Sequence, residues 1–296
     1  MEIVIEENIN ERIDVYLSKK LERSRSVISK MINTENILVN GLKVKNSYNL
    51  KLGDKIFVGE YEEEDMNIEK ENIELDIVYE DDDVIVINKK NGMVVHPAPG
   101  NTKGTLVNAL LYYSKNLSDI NGEFRPGIVH RIDAYTTGLL MVAKNNKSHE
   151  ILADELAKKQ TTRKYIALVW GVINEDTATI DAPIGRDVND RKKMAVTPIN
   201  SKDAITHLKV LERLNNATLV ELVLETGRTH QIRVHMDYIG HPVVNDPVYG
   251  KRKLIDNTGQ CLHAYELGFI HPTSNKYMEF SCEIPECFKN ILEKFK

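Results

Sequence analysis

Asp133 stands at the apex of a polar turn between two strand-like apolar runs. Gly127-Ile128-Val129-His130-Arg131-Ile132 precedes it, and Thr136-Thr137-Gly138-Leu139-Leu140-Met141-Val142-Ala143-Lys144 follows. A carboxylate in such a place can act as a nucleophile or as a base, provided it is ionised. Burial alone favours the neutral acid, so the chemistry calls for a fixed cation. A guanidinium suits, because it does not give up its proton. A second block lies far downstream: Glu225-Thr226-Gly227-Arg228-Thr229-His230-Gln231-Ile232-Arg233-Val234-His235. Arg228 follows a strand and a glycine and precedes a helix N-terminus, from which a rigid cation can project into a cleft. The residues by themselves leave open whether Asp133 and Arg228 meet; an isolated Asp and Arg read as a structural salt bridge. Arg131, two residues before Asp133, shares its face in an extended segment.

Other chemistries fit the chain badly. His230 and His235 are five apart, not the four that place two ligands on one helical face. Cys282 and Cys287 are also five apart and lack a paired second half, so no zinc site is expected. No glycine-rich loop ending in Gly-Lys-Ser/Thr and no Gly-x-Ser-x-Gly occurs, which argues against nucleotide hydrolysis and the common esterase arrangement.

The two blocks resemble the signature segments of the RluA/RluD group of pseudouridine synthases. Gly92-Met93-Val94-Val95-His96-Pro97-Ala98-Pro99-Gly100-Asn101 and Gly104-Thr105-Leu106-Val107-Asn108-Ala109-Leu110-Leu111 are similar to the RluD branch in particular, and Gly240-His241-Pro242-Val243-Val244-Asn245-Asp246-Pro247-Val248-Tyr249-Gly250 also fits. The resemblance runs from about Ile77 to the C-terminus. It implies that Asp133 is catalytic and that Arg228 contacts it. It implies that Tyr165 packs on the target base, and that its hydroxyl is a candidate for proton transfer. An aromatic face is a fitting platform, since stacking is worth about 1–3 kcal/mol per base. Arg131 would fill the gap left by a flipped nucleotide, and Ile232 would line the base pocket. The implied activity is isomerisation of uridine to pseudouridine in structured RNA, foremost large-subunit (23S) ribosomal RNA, with no cofactor and no metal. Two departures stand out. Lys89-Lys90-Asn91-Gly92 lacks the usual proline, and Ala134-Tyr135 replaces the Lys-Asp that many members carry after the catalytic Asp.

The elements that must position these residues fall into two bodies. In the first, Arg12–Leu17 with Leu21 predicts a helix, and Ser24 or Ser26 can cap a second with Val27, Ile28, Met31 and Ile32 on one face. Ile37–Val39, Asn40-Gly41 and Leu42–Val44 read as a hairpin, and Leu52–Val58 adds a turn and strand. This pattern resembles the S4 RNA-binding domain, with Arg23, Arg25 and Lys30 on its RNA-facing side. The second body reads as a hairpin through 77–89, helices over 106–114, 149–159 and 229–239, and strands over 162–171, 205–212, 217–225, 267–270 and 278–283. Strands dominate without a βαβ rhythm. The fold class is therefore α+β: a mixed, mainly antiparallel catalytic sheet of the pseudouridine synthase type, preceded by a small α/β S4 domain. The boundaries are 1–60, an acidic linker 61–75, and 76–296.

A net charge of −5 sits oddly with RNA until its distribution is read. Glu11–Lys55 carries +5, Glu60–Asp83 carries −12, and Val84–Lys296 carries +5. Two basic bodies joined by an acidic strap can bind phosphate locally. Three cysteines, no signal peptide and no run of about 18 apolar residues point to the cytoplasm and no membrane. The expected partner is ribosomal RNA or a pre-ribosomal particle, bound by a monomer. The rival readings are a non-catalytic RNA-binding or ribosome-assembly protein that keeps the fold, and a transfer-RNA pseudouridine synthase. A glycosidase-like hydrolase would need a second carboxylate beside Asp133, and the motif has none.

Overall fold

The computed structural model describes all residues except 8, 24, 62–67, 99, 123–124, 191–192 and 251, and of Ser26 the backbone only. Its chain forms two compact units, Met1–Asn67 and Ile68–Lys296. Among the described residues no helix is long and apolar enough to cross a membrane.

The first unit contains β1 (Glu2–Val4), α1 (Ile13–Lys20), α2 (Arg25–Asn33), β2 (Ile37–Val39) and β3 (Lys55–Val58). The strands pair antiparallel in the order β1-β3-β2. Ile13 and Leu17 of α1 meet Ile28, Met31 and Ile32 of α2, and both helices close on Ile37, Val39 and Ile56. Asn40 and Gly41 take the positive φ that their turn requires, 53° and 77°. The expected second hairpin arm at Leu42–Val44 reduces to one bridge, Val39 to Leu42, because β3 takes its place beside β2. Ser24 and the Ser26 side chain, the two expected helix caps, lie outside the described residues.

The second unit runs β4 (Ile77–Glu80), β5 (Val84–Lys89), α3 (Leu106–Tyr113), β6 (Thr137–Ala143), α4 (Asn146–Ala157), β7 (Thr162–Trp170), β8 (Thr177–Asp181), β9 (Ile184–Arg186), β10 (Met194–Val196), β11 (Ile205–Leu214), β12 (Ala217–Leu224), α5 (Gln231–Tyr238), β13 (Leu262–Ile270), β14 (Tyr277–Ser281) and α6 (Glu286–Leu292). Nine strands make one sheet in the order β4-β5-β6-β13-β7-β12-β11-β8, with β14 also on β13. Among the described residues only β6 and β13 pair parallel. The mixed, mainly antiparallel sheet is thus the one expected. Both faces of β5 and β6 are buried, which explains their unbroken apolar runs. Ile85, Ile87, Leu140 and Val142 face α3, while Val84, Val86, Leu139 and Met141 face Leu152 of α4. Thr105 caps α3, accepting from Asn108 N.

Several local expectations are corrected. Gly127–Ile132 is not a strand; one bridge joins Ile128 to Val142. Instead His130 Nε2 accepts the Met141 N–H at 3.1 Å, doing for β6 what a neighbouring strand would. α4 starts at Asn146, capped by Asn145, and α5 starts at Gln231 because His230 takes a left-handed φ of 58°. β13 begins at Leu262, five residues before the expected start. Residues 68–75, read as the end of the linker, are held on the second unit. Ile68 and Leu75 pack on its core, and the Asn108 side-chain amide donates to the Glu69 carbonyl at 2.7 Å.

Candidate active site

Asp133 lies in the turn that feeds β6, closed by Thr136 N–H donating to its carbonyl at 3.0 Å. The residues around it come from this turn, the start of β7, the end of β12 with the loop after it, the first turn of α5, and β13. They enclose a cleft of about 110 Å³ lined by Asp133, Arg131, Arg163, Tyr165, Arg228 and His230, with Leu224, Ile232 and Leu262 as apolar wall. Tyr165 alternates inward on β7 with Arg163 and Ala167. It is 7% exposed, and burial raises its pKa, with Asp133 adding to the effect and Arg163 opposing it. The phenol therefore keeps its proton at neutral pH, so it can offer a face or a donor but not a base.

The cation that meets Asp133 is Arg233, not Arg228. Arg233 Nη1 donates to Asp133 Oδ2 at 2.8 Å, while its Nε and Nη2 grip Asp246 at 2.6 and 2.8 Å. Burial works against the Arg233 charge, but the carboxylates of Asp246 and Asp133 outweigh it and raise its pKa above the ordinary arginine range. The fork is therefore locked by one carboxylate while its third nitrogen holds the other. Asp246 is fixed in turn by the N–H groups of Val248 and Tyr249, at 2.8 and 3.0 Å. Arg228 lines the same cleft but donates from Nε to the Asp203 carbonyl at 2.9 Å. The physical reason is helix phase. Arg228 precedes α5 in the loop, whereas Arg233 sits within its first turn, on the side that meets Asp133.

Gln231, His235 and Gly227 of the downstream block are scaffold. Gln231 Oε1 accepts from Arg228 N and Thr226 Oγ1, and its amide donates to Ile205 O and Thr206 Oγ1. His235 bridges Thr206 Oγ1 and the Ala182 carbonyl. Gly227 lies so close to Arg163 that a Cβ there would sit 2.6 Å from its Nη1.

Arg131 is exposed at the rim, with Nη1 3.2 Å from His96 Nε2. Burial, with Arg131 and Arg125 nearby, holds His96 at about 4, so it is a neutral acceptor. Ile232 packs at the base of the cleft, 4% exposed. Of the first unit's expected RNA-facing cations, Arg25 pairs with buried Asp14 at 2.7 Å while its side chain stays 56% exposed. Arg23 donates to the Tyr61 carbonyl at 3.3 Å, and Lys30 lies 5.9 Å from the Tyr61 ring centroid.

Sequence reasoning passed over Lys89, Arg163, Arg233, Asp246 and Tyr249. Lys89 is 1% exposed, and its Nζ donates to the carbonyls of Lys90, Met93 and Ala134 at 3.0, 2.9 and 2.8 Å. Burial pulls its pKa to about 7, against the opposing pull of Asp133. It clamps the residue after Asp133 to the end of β5. Ala134 thus takes part through its backbone, which any side chain leaves available. Arg233 was legible as the second arginine of its block. Asp246 carries no local signal, since only the tertiary fold brings it to Arg233.

Comparison with known proteins places this geometry in context. The sequence pattern described as RNA pseudouridylate synthase matches residues 83–238, and that of the S4 domain matches 11–56. The chain is 52% identical over 292 residues to the RNA pseudouridine synthase YlyB of Bacillus subtilis, covering 98% of this chain and 96% of that one. It is 40% identical to ribosomal large subunit pseudouridine synthase D of Escherichia coli, covering 98% and 92%. Among solved structures, human RNA pseudouridylate synthase domain containing 1 superposes with a TM-score of 0.59 at 30% identity, covering 71% of this chain and 83% of that one.

Proposed function

The chain belongs to the family of RNA pseudouridylate synthases, which are isomerases, and carries an N-terminal S4 domain; from that premise we propose that it converts uridine to pseudouridine in large-subunit ribosomal RNA, with Asp133 as the catalytic group. The observation that carries this reading is the Asp133–Arg233–Asp246 chain at a cleft walled by Tyr165. The relatives named for the large ribosomal subunit supply the substrate class.

A uridine flipped out of its stack enters the cleft with its base against Tyr165 and Ile232. Asp133 acts through Oδ1, the oxygen that Arg233 leaves free. It either attacks the anomeric carbon or removes a proton from the adjacent ribose carbon. The bond from N1 to the ribose breaks, the uracil turns, and C5 bonds to the same ribose carbon, displacing the Asp133 oxygen on the first route or, on the second, as Asp133 returns its proton to the adjacent carbon. C5 then loses its hydrogen and N1 gains one, so atoms balance with no cofactor. Arg233 supplies preorganised charge, and it needs no reorganisation during reaction because Asp246 already holds it. Arg131 at the rim offers a planar cation to the gap in the RNA stack, offsetting an unstacking cost of a few kcal/mol. Arg163 and Arg228 give the cleft positive charge for the RNA backbone. The S4 domain adds affinity, and RNA shape selects the uridine.

The test is carbodiimide-stop sequencing of large-subunit ribosomal RNA, naked and in precursor particles, after incubation with the protein. New stops at discrete uridines are expected with wild type and none with Asp133→Asn. Stops on transfer RNA alone would move the substrate to that class. No stops on any RNA would overturn the reading.

A further inference from the structure

His230 is the one residue of the cleft that adopts a strained backbone. It sits at φ 58° and ψ 19°, the left-handed region that a side chain with a Cβ enters at a cost. Such strain persists only where the surroundings over-determine it. The surroundings here are Tyr249 and Asp133. His230 Nδ1 lies 2.8 Å from Tyr249 Oη, and the rings meet edge to face with centroids 5.5 Å apart. Tyr249 is itself fixed. It is 6% exposed, its hydroxyl accepts the Met194 N–H at 3.0 Å, and the Arg233 guanidinium lies 5.0 Å from its ring centroid.

Proton bookkeeping then assigns the imidazole. Tyr249 Oη has one proton to give, and among the described residues its only acceptor is His230 Nδ1. The proton of the neutral ring therefore resides on Nε2. Nε2 faces Asp133 Oδ1 at 3.8 Å, while Arg233 occupies Oδ2. Burial holds His230 below its ordinary value in spite of the pull of Asp133, consistent with a neutral donor.

Resting on the reading of Asp133 as the catalytic group, we propose that His230 is a positioning residue for the isomerisation. Its Nε2–H, set by Tyr249, orients the free oxygen of Asp133 toward the ribose. The gap of 3.8 Å is too long for a hydrogen bond. It closes when the bound nucleotide draws Asp133 and the ring together. Asp133 then has both oxygens tethered, Oδ2 by a charged donor and Oδ1 by a neutral one that does not take up its charge.

Three substitutions test this by steady-state kinetics on ribosomal RNA. His230→Asn suits the left-handed backbone but brings a shorter amide. His230→Gln keeps both an acceptor for Tyr249 and a donor for Asp133. Tyr249→Phe leaves the residue 230 backbone untouched and removes the tautomer lock. The expected result is a fall in kcat of roughly ten- to hundredfold for His230→Asn. A smaller fall is expected for Tyr249→Phe, and His230→Gln should recover part of the loss. KM and melting temperature should stay close to wild type in all three. Equal losses in the Gln and Asn variants, or losses confined to KM or melting temperature, would overturn the assignment. An inactive wild type would instead count against the reading of the site itself.

Discussion

At the scale of single residues, the site depends on which arginine sits where. Arg233→Gln strips the guanidinium from Asp246, whose side chain is fully buried, and from Asp133. Removing one partner of such a pair costs about 3–5 kcal/mol, so both stability and activity should fall. Arg228→Gln gives up one bond to a backbone carbonyl and should change stability by no more than about 1 kcal/mol. Chemical denaturation of the two variants checks the contrast; equal losses would contradict the geometry. Lys89 makes a second prediction at this scale. Its pKa is depressed by burial to about 7 from 10.5, so across that window the unfolded chain binds more protons than the fold. Stability contributed by this group therefore rises with pH through the window and is least below it. The melting-temperature difference between wild type and Lys89→Met should move in favour of wild type from about pH 7 to about pH 10. A flat difference would contradict the assignment. Asp133 and Tyr165 could be singled out in the sequence because their motifs are local, and both line the cleft. Arg233 was mistaken for Arg228 because two arginines in one block differ only in helix phase. That phase hung on His230 turning left-handed, so that α5 begins at Gln231.

At the scale of elements, the turn bearing Asp133 is anchored by the start of β6, where it runs parallel to β13 at Thr137 and Gly138. Gly138 has φ 105°, and a Cβ there would collide with the Ala264 backbone of β13. Gly138→Ala should thus loosen the Asp133 turn and lower stability by more than the ~1 kcal/mol of a helix-type glycine exchange. Thermal unfolding measures this, and a neutral result would show that β6 and β13 can part without cost. The hairpin of β4 and β5 and the pair of β11 and β12 were readable from sequence, being close in the chain and separated by turn residues. The early half of β13 was not. Leu262–Ala264 pairs with β7, and His263 and Ala264 also with β6, both contacts being remote in sequence. The first arm before Asp133 was over-read as a strand, since His130 satisfies Met141 N–H by a side chain that no periodicity records.

At the scale of the whole molecule, the acidic stretch Glu60–Asp83 carries a net charge of −12, and the remainder of each unit is net basic. The second unit has hydrophobic clusters of its own beneath and beside the cleft, and the S4 domain has another. Deleting residues 1–67 should therefore leave turnover of a short RNA substrate intact. It should weaken binding of ribosomal RNA and flatten the salt dependence of that binding, since fewer phosphate contacts release fewer counterions. Loss of turnover on the short substrate would contradict this division of labour.

In the proposed reaction Asp133, held by Arg233, moves a uracil from nitrogen to carbon attachment. Large-subunit ribosomal RNA labelled with tritium at C5 of uridine tests it most directly, because rejoining through C5 expels that hydrogen. Wild type should release tritium in step with pseudouridine formation, and Asp133→Asn should release none while its fold and RNA affinity persist. Equal release by Asp133→Asn and wild type would contradict the account.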